Sequence, residues 1–150
     1  MKKLFYMGLL TTGLLTCLFF GQYAEARDTL HNLNAQDALQ QGHQRGEILD
    51  DVKVYFAGEK HPDVEKSIGE FRTNRKTNAF NKSDEEACRW AFFSAIKSLQ
   101  ERALNEGGNA VIDIKSNYRN REFVSATEFQ CGAGAFIGGV ALKGTVAKLK

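Results

Sequence analysis

Residues 83–118, SDEEACRWAFFSAIKSLQERALNEGGNAVIDIKSNY, decide the fold of this chain, because they combine a long amphipathic helix, a glycine stop and an apolar strand. Ser83 is a typical N-cap, since its hydroxyl can accept a hydrogen bond from the backbone of Glu86 while the Glu86 carboxylate bonds back to the cap. Asp84 and Glu85 follow at the positive end of the helix dipole. The sequence therefore predicts a helix that begins directly after Ser83.

One face of this predicted helix is apolar, and we expect it to be buried against the rest of the domain. Trp90, Phe93 and Leu104 lie on a flank beside that face. We expect a loop to cover the flank; a second contact with another segment or a partner is the alternative. The buried face comprises seven positions at the helical period: Cys88, Ala91, Phe92, Ala95, Ile96, Leu99 and Ala103.

The helix is predicted to end at Gly107, because glycine readily adopts the left-handed conformation that terminates helices. From Ala110 the pattern changes to period two, which predicts a strand packed under the helix. The two sides of this strand are expected to be Ala110, Ile112, Ile114 and Tyr118 on one, and Val111, Asp113 and Lys115 on the other.

The first 26 residues have the pattern of a cleaved export leader. Two lysines precede an apolar run over residues 4–21, and Ala24 and Ala26 supply the small side chains that a signal peptidase requires. We expect cleavage before Arg27 and delivery to a bacterial periplasm. Secretion is an alternative, as is an uncleaved inner-membrane anchor, because the apolar run is longer than usual. Lipidation at Cys17 is a further alternative.

The remaining 124 residues suffice for one domain. Residues 27–50 are polar, rich in glutamine and interrupted by glycine, so we expect a loosely attached N-terminal arm. His31 and His43 in this arm have no second ligand at a metal-binding spacing, and we expect them to be solvated. The domain proper is expected over residues 51–150.

Outside the central stretch, the domain sequence contains further strand and turn patterns. Val52, Val54 and Phe56 alternate with other residues and predict a strand with these side chains inward. A weaker strand is expected over residues 67–73, followed by a basic link over residues 74–78. The later elements are a hairpin loop at 119–122, a returning strand at 125–131, a glycine-rich hairpin or bulge at 132–139, and a last strand over 140–147 kinked at Gly144. The predicted fold is a single α+β domain with a mainly antiparallel sheet of four to five strands and one long helix on one face.

Cys88 and Cys131 are the cysteines that remain once the leader is removed. An exported protein with two cysteines usually bonds them. Each falls on a face assigned to the core, so we predict a helix-to-strand disulfide, which closes a loop of about 44 residues and stabilises the fold by about 4 kcal/mol. A redox-active pair is the alternative, although no C-x-x-C motif supports it.

Charge and motifs argue against several classes of function. The formal net charge is +2, and removal of the leader lowers it to +1, without the basic excess of a nucleic-acid binder. Lys143-Gly144-Thr145 does not match a phosphate-binding loop, so no nucleotide is expected. No Gly-x-Ser-x-Gly turn is present, and His61 is the only histidine inside the predicted domain. We therefore expect no catalytic residues, no metal and no cofactor.

Six basic residues on two segments allow two interpretations. They form either an anion-binding patch for lipid head groups or polysaccharide, or an ordinary solvated surface balanced by nearby acids. These residues are Arg72, Arg75, Lys76 and Lys82 on one segment, and Arg119 and Arg121 on the other. The glycine-rich stretch over residues 132–142 also has Gly134 and Gly138 at the four-residue spacing of membrane-active helices, although we favour a hairpin within the sheet.

Three motifs, SDEEAC at residues 83–88, EGGNAVI at 106–112 and CGAG with VALKG between residues 131 and 144, resemble a group of small exported proteobacterial proteins. Members of that group are often labelled as an excinuclease ATPase subunit. The chain has neither an ATP-binding loop nor a zinc-type cysteine set, so we expect neither ATPase nor excinuclease activity.

More distantly, the order of a helix, Gly-x-Asn-Ala with an apolar strand, and a glycine-containing strand is similar to the YbjQ and RcsF group of small α+β domains. This resemblance implies the fold. An RcsF-like role would imply envelope stress signalling by a lipoprotein with two disulfides, of which Cys88 and Cys131 match only one. YbjQ-like heavy-metal binding would need a ligand cluster that the sequence lacks.

The leading functional expectation is a non-enzymatic periplasmic protein that binds an envelope protein or an anionic surface and serves envelope homeostasis. One alternative is a small ligand-binding protein or enzyme that acts on an anionic small molecule or polysaccharide through the basic residues and His61. Another is a membrane-active protein that uses residues 132–142. Otherwise membrane contact is expected only through an uncleaved leader, and neither nucleic acid nor nucleotide is expected as a partner.

Overall fold

The computed structural model of the chain describes residues 27–150, and it has the predicted α+β fold class. The leader prediction, with cleavage between Ala26 and Arg27 and the alternative of lipidation at Cys17, concerns residues outside the described part. The elements are β1 (Thr29–Asn34), α1 (Ala35–Gln44), β2 (Lys53–Phe56), β3 (Val64–Asn78), α2 (Asp84–Asn105), β4 (Ala110–Ser116), a 3-10 turn (Tyr118–Asn120), β5 (Glu128–Ala133) and β6 (Ile137–Leu149).

The long helix α2 begins and ends where the sequence predicts. The Ser83 hydroxyl accepts a hydrogen bond from the backbone N–H of Glu86 at 3.1 Å. Gly107 follows the helix with φ of +75°, the left-handed conformation expected of a helix stop. All seven predicted core positions of the helix are at most 1% exposed, which confirms the buried face.

Strand β6 is the centre of a six-stranded sheet in the order β1-β5-β6-β4-β2, with β3 paired along the other side of β6. All of these pairs are antiparallel except β2 with β4. The glycine-rich stretch forms the end of β5, a tight turn and the start of β6. The preferred interpretation of that stretch as a hairpin in the sheet is therefore confirmed.

The core lies between α2 and one face of the sheet. Phe92 of α2 packs against Phe129 of β5 with ring centroids 4.1 Å apart, and against Phe56 of β2 at 6.2 Å. Each buried phenylalanine of this kind contributes about 2 kcal/mol through removal of apolar surface from water. The predicted disulfide joins Cys88 and Cys131 at the edge of this cluster, with Cα atoms 5.7 Å apart.

The expectation of a loosely attached arm over residues 27–50 is wrong. Strand β1 pairs with β5 over six residues, and α1 packs on α2. The apolar residues Ala35, Ala38 and Leu39 are few, but they share one face of α1 and are all buried. This segment covers part of the flank of α2. Phe93 is buried beside Gly42 of α1, and the guanidinium of Arg45, in the turn after α1, lies 5.5 Å from the Trp90 ring centroid. Leu104, the third flank residue, is 49% exposed.

Two expectations about the strands beside β6 are also wrong. Residues 74–78, expected as a link, continue β3, because β3 pairs with β6 as far as Asn78 opposite Ile137. The loop over residues 119–122 is closed by an antiparallel bridge between Ser116 and Phe123. The returning strand expected over residues 125–131, however, does not continue beside β4. Both edges of β4 are occupied, one by β2 and one by β6, so β5 pairs instead with β1 and β6.

The predicted assignment of the β4 side chains to the two faces of the sheet is wrong beyond Ile112, because β4 contains a bulge. Asp113 has φ of +54°, and the pairing of β4 with β6 shifts between Ile112 and Lys115. The extra residue moves Ile114 to the face of Val111, where both join the main core. Ile112 instead belongs to a small cluster with Ala110, Ala147 and Leu149.

Candidate functional site

The candidate site is an open groove on the face of the sheet that α2 does not cover. The glycines of the β5–β6 hairpin define the two faces. A side chain at Gly138 would meet Ala87 of α2 at 3.0 Å, so Gly138 faces the helix. Successive strand residues alternate in direction, so Gly139 faces the opposite side. Its partners Gly132 on β5 and Lys76 on β3 therefore face that side too.

Tyr118 lies on the floor of the groove. Its hydroxyl is 1.9 Å from the position that a Cβ atom of residue 132 would take, and its ring edge is 4.0 Å from the same position at Gly139. These glycines leave the ring room to rest on the sheet backbone. Close approach to backbone is a common reason for glycine inside a strand.

Asp28 organises one wall of the groove. The Tyr118 hydroxyl donates a hydrogen bond to its carboxylate at 3.1 Å, and the Arg119 guanidinium donates to the other carboxylate oxygen. Arg119 has φ of +53° and ψ of +35° in the 3-10 turn. A non-glycine residue in this conformation carries strain of about 1–3 kcal/mol, and such residues are concentrated at ligand sites.

Arg27 closes the end of the groove and ties it to the start of α2. Its guanidinium donates to both carboxylate oxygens of Asp84, at 2.7 and 2.8 Å, and to the carbonyl of Gly134 at 3.2 Å. His31 Nε2 lies 2.9 Å from Asp84. The hydrogen bonds from Arg27 hold the pKa of Asp84 below its ordinary value, with a smaller contribution from His31.

The opposite wall is formed by β3 and by the turn between β5 and β6. Lys76 and Asn74 supply a cation and an amide, while Phe136 and Ile137 supply exposed apolar surface. The groove has a volume of about 560 Å³. Its lining includes three cations, Arg27, Lys76 and Arg119, against the single carboxylate of Asp28.

A smaller groove of about 260 Å³ lies on the other side of Tyr118 and Arg119. Asp28, Tyr118 and Arg119 line both grooves. Arg121 and the exposed side chain of Leu30 line the smaller one. The lining of the smaller groove is balanced in charge, with Arg119 and Arg121 against Asp28 and Glu122.

The six basic residues of the predicted anion patch do not form one surface. Lys76 and Arg119 line the main groove, and Arg121 lines the smaller one. Arg75 lies on the helix side, where it donates to the hydroxyl of Ser98 at 2.8 Å. Arg72 lines a hollow beside α2, and Lys82 lies in the loop before α2 with its ammonium on the Asn78 carbonyl.

Lys143, which the phosphate-loop interpretation would have placed on a nucleotide, is buried in an ion-pair cluster. Its ammonium donates to Glu122 and lies 3.7 Å from Glu70. The hydrogen bond from Lys143 holds the pKa of Glu122 below its ordinary value. Lys143 thus has carboxylate partners within the protein and does not line the groove.

Arg27, Asp28 and Tyr118 are groove residues that sequence reasoning missed. The relevant signal was the alignment of Gly132 with Gly139, since paired glycines in adjacent strands leave space for a ring above them. His61, the other residue considered for a pocket, instead contacts Tyr55, with ring centroids 5.6 Å apart. Within residues 27–150, no three His, Cys, Asp or Glu side chains are grouped as a metal site would require.

The chain matches no protein-family model and none of the curated proteins with which it was compared. Between Arg27 and Lys150, neither helix has the length and apolar character needed to cross a membrane. The functional proposal therefore rests on the geometry of the groove.

Proposed function

We propose that the chain is a non-enzymatic binding protein of the bacterial envelope, and that its groove binds an anionic ligand. The observation that carries the proposal is the convergence of Arg27, Lys76 and Arg119 on one concave surface. Arg27 is paired with Asp84 and Arg119 with Asp28, so the excess positive charge among the described residues of the site is that of Lys76. A concave surface concentrates the field of this charge on an entering anion.

The polar and apolar parts of the groove indicate the kind of anion. Lys76 and Arg119 are the donors for carboxylate, phosphate or sulfate oxygens. The Tyr118 ring and the exposed Phe136 side chain offer flat apolar surface for a sugar ring or a short carbon chain. An acidic saccharide or a similar small anion of the envelope meets both requirements.

Binding without chemistry is supported by the composition of the lining. Among the described residues that line the groove there is no serine, threonine, cysteine or histidine. Its carboxylate, Asp28, accepts hydrogen bonds from both Tyr118 and Arg119, so it orders these side chains. The export pattern of the leader and the disulfide support an envelope location.

A nuclear magnetic resonance titration of the exported protein tests the proposal, with inorganic phosphate and trigalacturonate as the two probes. We expect amide shifts that saturate and concentrate at residues 76, 118, 119, 132 and 139. The double variant Lys76→Gln/Arg119→Gln should lose them. The matched control Lys97→Gln/Arg102→Gln, which removes two cations from α2, should keep them. Shifts scattered over the surface, or equal in both variants, would refute groove binding.

A further inference from the structure

Three large apolar side chains, Phe80, Phe136 and Ile137, form an exposed surface that we name the apolar tip. They are 57%, 66% and 53% exposed, respectively. Phe80 belongs to the loop between β3 and α2, whereas Phe136 lies in the β5–β6 turn. Their rings stack with centroids 6.0 Å apart and planes at 12°. A contiguous exposed apolar surface of this kind generally marks an interaction site.

The apolar tip is held in place by backbone contacts. The N–H of Ala79 donates to the carbonyl of Phe136 at 2.8 Å, which ties the two loops together. The Gly134 N–H donates to the Ile137 carbonyl at 2.9 Å and closes the turn. Backbone hydrogen bonds therefore hold the two loops that carry Phe80 and Phe136 in position.

The chain outside the structure reaches the domain at this tip. Arg27, the first described residue, donates to the carbonyl of Gly134 in the same turn as Phe136. Five residues separate Arg27 from the apolar run over residues 4–21. Five extended residues span about 20 Å at most. While the leader remains in a bilayer, the tip is therefore kept within that distance of the lipid surface.

Two lysines beside the tip provide matching charge. Lys76 lines the groove next to Phe136, and Lys82 follows Phe80 by two residues. The Lys82 ammonium donates to a backbone carbonyl, that of Asn78, at 2.9 Å. Within residues 27–150, neither ammonium has a carboxylate in ion-pair range, so both charges are available to anionic head groups.

We propose that the apolar tip docks on the surface of an anionic phospholipid bilayer. Phe80, Phe136 and Ile137 enter the head-group region, while Lys76 and Lys82 contact lipid phosphates. The sheet stays intact, because β5 and β6 remain paired behind the turn. Docking goes beyond ligand binding in the groove: it places the groove mouth, which Phe136 and Ile137 also line, at the membrane surface.

Fluorescence quenching by lipids brominated in their acyl chains tests docking, whether or not the leader has been removed. Trp90→Phe first removes the single native tryptophan, so that each reporter is observed alone. In this background the exported variant Phe136→Trp carries the reporter, and Val124→Trp is the matched control, since Val124 is also exposed, at 59%. With vesicles of phosphatidylglycerol and phosphatidylcholine in equal parts, we expect quenching of the tryptophan at 136 only. Equal quenching of both reporters, or of neither, would overturn the proposal.

Vesicle cosedimentation of the leader-free exported protein gives the second measurement. Loss of two partly inserted rings in Phe80→Ser/Phe136→Ser should weaken binding about tenfold or more. Leu104→Ser/Val124→Ser removes exposed apolar side chains elsewhere and should bind as the parent protein does. A tip that joins two copies of the chain would instead give dimers in sedimentation equilibrium and no vesicle binding, which refutes docking.

The two proposals fail separately. If the tryptophan at residue 136 is quenched but the phosphate titration gives no saturating amide shifts at the groove residues, ligand binding is refuted and docking stands. If the amide shifts appear but the tryptophan is not quenched, docking is refuted and ligand binding stands.

Discussion

The phenol of Tyr118 occupies the space that a side chain on Gly132 would fill, with its oxygen 1.9 Å from the Cβ position at residue 132. The pair links the turn after β4 to the end of β5. Tyr118 in turn holds Asp28, and Asp28 holds Arg119. The absence of a side chain at residue 132 therefore determines the shape and charge of the groove.

Gly132→Ala should damage the groove more than the fold. The new methyl group displaces the Tyr118 ring, which is only half-buried, so the ring can swing outward and the sheet keeps its pairing. We expect a loss of about 1 kcal/mol in the free energy of unfolding, the value of one hydrogen bond. Groove amide shifts with trigalacturonate should disappear. Gly69→Ala is the control, since its methyl group would make only ordinary contact with Phe71 at 3.6 Å. Unchanged anion binding in Gly132→Ala would contradict this role for Tyr118.

Removal of the disulfide should destabilise the domain without changing its topology. Cys88→Ala/Cys131→Ala opens a loop that spans a sequence separation of 43. The loss should be about 4 kcal/mol in the chain-entropy model, measured by urea denaturation. Reductant should lower the urea midpoint of the parent protein and leave that of the double variant unchanged. A parent protein that titrates two free thiols while folded would contradict the assignment.

Gln100 is fully buried on α2 and fixes the segment between α1 and β2. Its side chain accepts from the N–H of Leu49 at 2.9 Å and donates to the carbonyls of Leu49 and Val52 at 2.8 and 2.7 Å. Gln100→Leu leaves these backbone groups unpaired and should cost about 3 kcal/mol, measured by urea denaturation. Gln40→Leu, at an exposed position, is the control. A Gln100→Leu variant as stable as the parent would show that water replaces all three bonds.

Asp84 should make stability depend on pH on the acid side. Because Arg27 holds the pKa of Asp84 below its ordinary value of 3.8, the folded state binds fewer protons than the unfolded chain. The stabilisation is fully present above pH 3.8 and is lost as the pH falls through the lower folded pKa. Asp84→Asn should therefore have a lower free energy of unfolding than the parent at neutral pH. The difference between the two proteins should narrow below pH 3.8.

Urea denaturation across this pH range checks the Asp84 prediction. Asp63→Asn removes a carboxylate that is 85% exposed. The curve of its free energy of unfolding against pH should therefore stay nearly parallel to that of the parent. If Asp84→Asn also gave a parallel curve, the Arg27 pair would contribute nothing to folding.

The sequence predicted the elements whose signals are local. The Ser83 cap, the stripe of α2 and the Gly107 stop all depend on neighbours within a few residues, so the helix was predictable from end to end. The disulfide was predictable because both cysteines fell on core faces. Strand β1 was not predictable, because only Leu33 reaches the core and its stability comes from pairing with β5.

The groove was predictable in part. The sequence pattern predicts Lys76 and Arg119 as patch residues, but it groups Arg75 with them, because residues 74–78 have the polar, basic composition of a link. Alternation along β3 places Arg75 and Lys76 on opposite faces of the sheet. The pairing of β1 with β5 brings Arg27 to the groove, and the pairing of β5 with β6 aligns the two glycines on which Tyr118 rests. No local sequence pattern encodes this long-range pairing.

Native mass spectrometry of the exported protein, purified without added ligand, tests the central claim most directly. We predict a bound anion of discrete mass on the parent protein and on Lys97→Gln/Arg102→Gln. The same anion should be absent from Lys76→Gln/Arg119→Gln, because that variant keeps the fold and loses two of the three groove cations. A parent protein without bound anion that also gives no saturable shifts with either probe, or an anion retained equally by all three proteins, would contradict the account.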